Sequence, residues 1–66
     1  MPPKIRELIA ELERNGFANR GGKGSHRNFN HPKRKRALTI SGKLGADAER
    51  YQIRDVRNAI KEVKGK

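Results

Sequence analysis

The chain has no cysteine, no tryptophan and only three aromatic residues, Phe17, Phe29 and Tyr51. Without cysteine there is no disulfide staple and no thiolate-ligated zinc. With so few rings, an aromatic platform for stacked bases, as in RRM or OB modules, is not expected. Long apolar runs are missing too. The longest is Leu8-Ile9-Ala10, too short for a membrane span or a signal-peptide core. At 66 residues the chain suffices for one domain, taken here as residues 1–66. Domains of this size bury only about 60% of the surface their unfolded chains expose. That excludes TIM barrels, dinucleotide-binding folds and two-domain enzymes. With 32% hydrophobic residues, one thin core is expected, with no deep cofactor pocket and no cofactor. These absences together describe a small cytoplasmic protein.

Acid is also scarce: Asp and Glu number 7 against 17 Lys and Arg, for a formal net charge of +10. The excess is local. Lys4 to Arg14 and Ala46 to Val63 are each balanced in acids and bases. Between them, Arg20, Lys23, Arg27, Lys33, Arg34, Lys35 and Arg36 stand with no acid at all. A field of that sign attracts polyanions and speeds their encounter. A charge run is ordinarily a solvated loop, but this one is interleaved with Gly, Asn, His and Phe. Nucleic acid is therefore the leading partner class, and no membrane partner is expected.

Ile5, Leu8, Ile9 and Leu12 recur at helical spacing, and Pro2-Pro3 suits the first turn of that helix. Asn15-Gly16 is a stop signal. Phe17 begins an extended segment that runs to Arg20. Gly21-Gly22-Lys23-Gly24 reads as a turn, Ser25 to Asn30 as a strand, and Ala37 to Ser41 as the next strand. His31-Pro32-Lys33-Arg34-Lys35 reads as the connection between those two strands. After a loop from Gly42 to Glu49, Ile53, Val56, Ile60 and Val63 mark a second helix. The expected fold is α+β, in the order α-β-β-β-α, with both helices on one face of a three-stranded antiparallel sheet.

Strand alternation then assigns the faces. If Phe29 is buried, Ser25 and Arg27 share its side, while His26, Asn28 and Asn30 face the other. Leu38 and Ile40 point inward, leaving Ala37, Thr39 and Ser41 outward. The uncovered face collects Arg20, His26, Asn28 and Thr39.

An exposed histidine is usually just a surface residue, but His26 sits among cations. Cationic neighbours disfavour the protonated imidazole, and histidine is the side chain that exchanges protons near neutral pH. Metal-free RNA cleavage needs such a group. The 2′-hydroxyl must lose a proton, the leaving 5′-oxygen must gain one, and the charged phosphorane between them needs cationic donors. His31 is read as a turn residue before Pro32. A metal site built on the two histidines is discarded. They fall on opposite faces, and no acid lies between Arg14 and Ala46. Gly21 to Gly24 matches the G-x-x-G loop of KH domains. That loop joins helices, whereas this one lies between strands, so it reads as a turn whose amides could help hold a phosphate.

The run Ile5-Arg6-Glu7-Leu8-Ile9 through Leu12, then Asn15-Gly16-Phe17, Arg20 and Gly24-Ser25-His26 with Phe29, resembles the HicA family of small toxins. The close likeness covers residues 5 to 30. The family carries messenger-RNA endoribonucleases of toxin–antitoxin pairs, with a fold similar to a double-stranded-RNA-binding domain. The resemblance implies that His26 is the catalytic histidine and that a HicB-type antitoxin covers the basic face. Beyond residue 30 the likeness is loose. Where the family often carries a proline and a further histidine, this chain has Thr39-Ile40-Ser41, and its last helix lacks the common Gly-Thr-Leu-Arg opening.

Residues and resemblance together predict a metal-independent endoribonuclease toxin acting on mRNA. His26 is its catalytic group, and Arg20, Lys23, Ser25, Arg27, Lys33, Arg34, Lys35 and Arg36 bind RNA. The alternative is a non-catalytic RNA-binding module with the same charge map and no need of His26.

Overall fold

The computed structural model describes residues 1–65; Lys66 lies outside them. The elements run α1 (Ile5–Arg14), β1 (Ala18–Asn19), β2 (Arg27–His31), β3 (Arg34–Ile40) and α2 (Arg50–Lys64). The sheet is antiparallel with strand order β1-β2-β3. This is the α+β order expected from the periodicities.

Helix α1 buries Ile5, Leu8 and Leu12 along one stripe. The prolines precede the helix and do not occupy its first turn. The Lys4 amide donates to Glu7 Oε1 at 2.6 Å, the Pro3 carbonyl accepts from the Ala48 amide at 2.8 Å, and Lys4 bridges to Asp47. The N-terminal segment is therefore extended because it pairs with the loop before α2. At the other end the Gly16 amide reaches the Glu13 carbonyl and the Phe17 amide reaches the Leu12 carbonyl, both at 3.1 Å. That pair of bonds is a Schellman cap, and it requires the positive φ of 89° that Gly16 adopts. The cap turns the chain so that Phe17 enters the core.

Phe17, Phe29, Leu38 and Ile40 pack with Ile5, Leu8 and Leu12 of α1 and Val56, Ala59, Ile60 and Val63 of α2. Ala18, Asn28, Asn30, Ala37 and Thr39 are exposed. One face of the sheet is thus covered by both helices and the other is open, as alternation requires.

The strand boundaries differ from expectation: β1 is only Ala18–Asn19, and β3 ends at Ile40, before Ser41. Strand β2 starts at Arg27, so Ser25 and His26 precede it, and it extends to His31. The connection is also shorter than five residues. Only Pro32 and Lys33 form the turn, and Arg34 already pairs with His31. Between the pairs Phe29–Leu38 and His31–Arg34, β2 has one residue and β3 has three, so the ladder is irregular there. His31 closes the turn. Its Nε2 lies 3.0 Å from the Asn15 carbonyl, and its Nδ1 accepts the Lys33 amide at 3.0 Å. A carbonyl can only accept, so this ring is held as the Nε2–H tautomer. Its ring packs against Phe17 with centroids 4.9 Å apart. His31, expected in the connection before Pro32, is instead the last residue of β2, and its ring closes the turn from there.

Candidate functional site

The open face is organised by register. The Arg20 amide donates to the Asn28 carbonyl at 2.7 Å, and Asn28 pairs with Thr39, so these three residues lie in one row across the sheet. Thr39 Oγ1 donates to Asn28 Oδ1 at 2.7 Å. The next row continues beyond the strand ends, where His26 Nδ1 and Ser41 Oγ are 2.8 Å apart. His26 is exposed, and among the described residues its Nε2 has no hydrogen-bond partner. The imidazole is held at one nitrogen and presented at the other.

The loop before His26 is held tightly. The His26 amide donates to the Lys23 carbonyl at 3.0 Å, and the Gly21 amide donates to Asn19 Oδ1 at 2.8 Å. Gly22 lies against the His26 backbone so closely that a β-carbon there would overlap the His26 carbonyl oxygen. The glycines read as a flexible turn thus include one required by close approach. Gly22→Ala is expected to displace the His26 backbone and to cost about 1–3 kcal/mol, as overpacking does. Thermal unfolding together with amide shifts of residues 23 to 28 measures this. Unchanged shifts would show that the loop yields freely.

The cations divide into two sets. Arg20, Lys23, Lys35 and Arg36 are exposed. Arg27 is half-buried, and its Nη1 donates to the carbonyls of Ser25 at 3.0 Å and Gly42 at 2.9 Å. It braces the segment before His26 against the segment after Ser41. Arg34, expected in the turn, lies in β3, and its side chain is only 16% accessible. Its Nε is 3.1 Å from Glu62 Oε2, a charge contact whose N–H is not aligned as a hydrogen bond, and its Nη1 donates to the Arg36 carbonyl at 2.8 Å. Ser25 is exposed and offers its carbonyl to Arg27. Lys33 is exposed in the turn. A hollow of about 510 Å³ at the hairpin end gathers Arg20, Asn30, Arg34 and Lys35.

Reasoning from the sequence missed one participant altogether. Gln52, 5% exposed, donates from Nε2 to the Ser41 carbonyl at 2.9 Å and accepts the Glu49 amide on Oε1 at 2.8 Å. It ties the start of α2 to the end of β3. The one available signal was its position three residues after Glu49, the spacing of a capping glutamine. Among the described residues no three His, Cys, Asp or Glu side chains gather into a metal-binding group, and no helix is long and apolar enough to cross a membrane.

This α+β chain, with one sheet face covered and the other open, belongs to the class of toxins from toxin–antitoxin pairs. The family model described as the HicA toxin of bacterial toxin–antitoxin systems matches residues 5–64, and the chain belongs to that family. Comparison with curated proteins and with solved structures returned no match.

Proposed function

We propose that the protein is a metal-independent endoribonuclease that cleaves mRNA with a single catalytic histidine, His26, as the toxin of a type II pair. The observation that carries this reading is an exposed imidazole with Nδ1 held and, among the described residues, Nε2 unpartnered, within a segment of seven bases and no acid. Cleavage moves a proton off the 2′-hydroxyl as that oxygen bonds to phosphorus, and delivers one to the 5′-oxygen as the P–O5′ bond breaks. His26 Nε2 serves as base or acid in that exchange. Arg20, Lys23, Lys35 and Arg36 hold phosphates on either side, while Arg27 and Arg34 shape the surface through their internal contacts.

The face is open, which suits a polymer that must lie across it. The partner is a HicB-type antitoxin that covers the basic face and competes with RNA for it. The metal-free form of the reading rests on the residue set, because the acids sit in and beside the two helices while His26 has only bases near it in sequence.

Purified protein is expected to cleave RNA in EDTA at the rate seen with added magnesium. Cleavage only with a divalent ion would overturn the metal-independent mechanism. Binding without cleavage under any condition would leave a non-catalytic RNA-binding module.

A further inference from the structure

We propose that Ser41 is a positioning residue for His26, its hydroxyl holding Nδ1 in every protonation state so that Nε2 alone exchanges protons with RNA. This rests on the endoribonuclease reading above.

Three contacts fix Ser41 where it stands. Its carbonyl is held by Gln52 Nε2 at 2.9 Å, and Gln52 is itself buried and bonded to the start of α2 through the Glu49 amide. The carbonyl of the following residue, Gly42, is held by Arg27 Nη1 at 2.9 Å. The same nitrogen reaches the Ser25 carbonyl, immediately before His26. The hydroxyl and the imidazole are therefore referred to one another through the packed part of the molecule, although His26 itself is exposed.

The chemistry of the partner matters as much as its place. When Nε2 is to accept a proton, Nδ1 carries hydrogen and donates to Ser41 Oγ. Once Nε2 is protonated, Nδ1 keeps that hydrogen and the contact is unchanged. In the other neutral tautomer the hydroxyl rotates and donates to Nδ1, and Nε2 carries the proton. A hydroxyl thus accommodates all three forms without moving the ring. His31 is the contrast within the same chain. Its Nε2 faces a carbonyl and its Nδ1 faces an amide, and that pair of partners admits one tautomer only. A carboxylate in place of the hydroxyl would favour the charged ring.

The test uses the full chain with ¹⁵N-labelled histidine, and the variants Ser41→Ala, Ser41→Thr and Ser41→Asp. Ring ¹⁵N shifts, RNA cleavage against pH and RNA affinity are measured on each, with thermal unfolding as a check of folding. Ser41→Ala is expected to lower kcat by about 10–100-fold through misplacement of the ring. Its RNA affinity should stay within about twofold, because no phosphate contact is removed. Ser41→Thr keeps the hydroxyl and should restore most of the rate. In Ser41→Asp the imidazole should hold its proton to a pH about one unit higher or more, and the rising limb of the rate profile should move with it. If Ser41→Ala cleaves at the wild-type rate with unchanged ring shifts, the positioning proposal falls and the endoribonuclease reading survives. If the ring shifts respond as stated but wild type cleaves no RNA, the contact stands and the endoribonuclease reading falls.

Discussion

His26→Ala is expected to abolish RNA cleavage while leaving RNA binding intact. The imidazole is exposed, so its removal opens no cavity, and water can take its place on Ser41 Oγ. Loss of one general acid–base group typically lowers a rate about 10²–10⁴-fold. Binding is expected to depend on other residues. The exposed Arg20, Lys23, Lys35 and Arg36 contribute charge that does not change when His26 is replaced. Affinity for single-stranded RNA should fall with salt at a log–log slope of roughly −0.7 per phosphate contacted, equally steep in wild type and variant. In cells, wild type without its antitoxin should arrest growth and His26→Ala should be tolerated. Equal cleavage by the two proteins would remove His26 from the mechanism. A flattened salt slope in the variant would instead assign the imidazole to phosphate binding.

The two helices were legible because their apolar spacing is local and regular. Ile5, Leu8 and Leu12 are buried along α1, and Val56, Ile60 and Val63 along α2, as the i, i+3, i+4 pattern demands. The end of α1 was legible for a different reason, since only glycine comfortably takes the positive φ of the cap at Gly16. What could not be read depended on partners far along the chain. Pro2-Pro3 fits a first helical turn by its own geometry, but Pro3 and Lys4 are drawn out to meet Ala48 and Asp47. Arg34 carries the charge and weak strand propensity of a loop residue. Its pairing with His31 and its contact with Glu62 place it in β3. The sequence around Pro32 lacks the glycine that usually marks a two-residue turn. His31 accepting the Lys33 amide supplies the closure instead.

The candidate site divides in the same way. That His26 and Ser41 share a side with Asn28 and Thr39 follows from alternation, because all four lie an odd number of residues from the buried Phe29 or Leu38. That they touch requires the register, in which Asn28 meets Thr39 and Arg27 meets Ile40, so that His26 and Ser41 fall opposite each other two rows on. Gln52 was hidden because its helix was read by its apolar residues alone, although it is as buried as they are. Gly22 was hidden because three glycines in four positions suggest freedom, while the chain uses one of them for close approach to the His26 carbonyl. The residues that hold the histidine thus come from three separate stretches, and only their packing assembles them.

Phe29→Ala is expected to be the most destabilising single truncation in the chain. Phe29 is fully buried in the central strand, opposite Asn19 on one side and Leu38 on the other. It is among the largest side chains the core contains. Truncating a buried phenylalanine to alanine costs about 3–5 kcal/mol, part lost transfer energy and part the cavity left behind. Native domains hold only about 0.05–0.15 kcal/mol per residue, so a chain this short is left with little or nothing. Urea or thermal unfolding should show a midpoint far below wild type, or no cooperative transition at all. Tyr51→Ala is the control, because that residue is 53% exposed and loss of its ring should shift stability by about 0.5 kcal/mol or less. A Phe29→Ala variant that unfolds cooperatively near the wild-type midpoint would show that Phe29 is not the centre of the core. The facing of β2 would then be reversed, and with it the exposure of His26, three residues upstream.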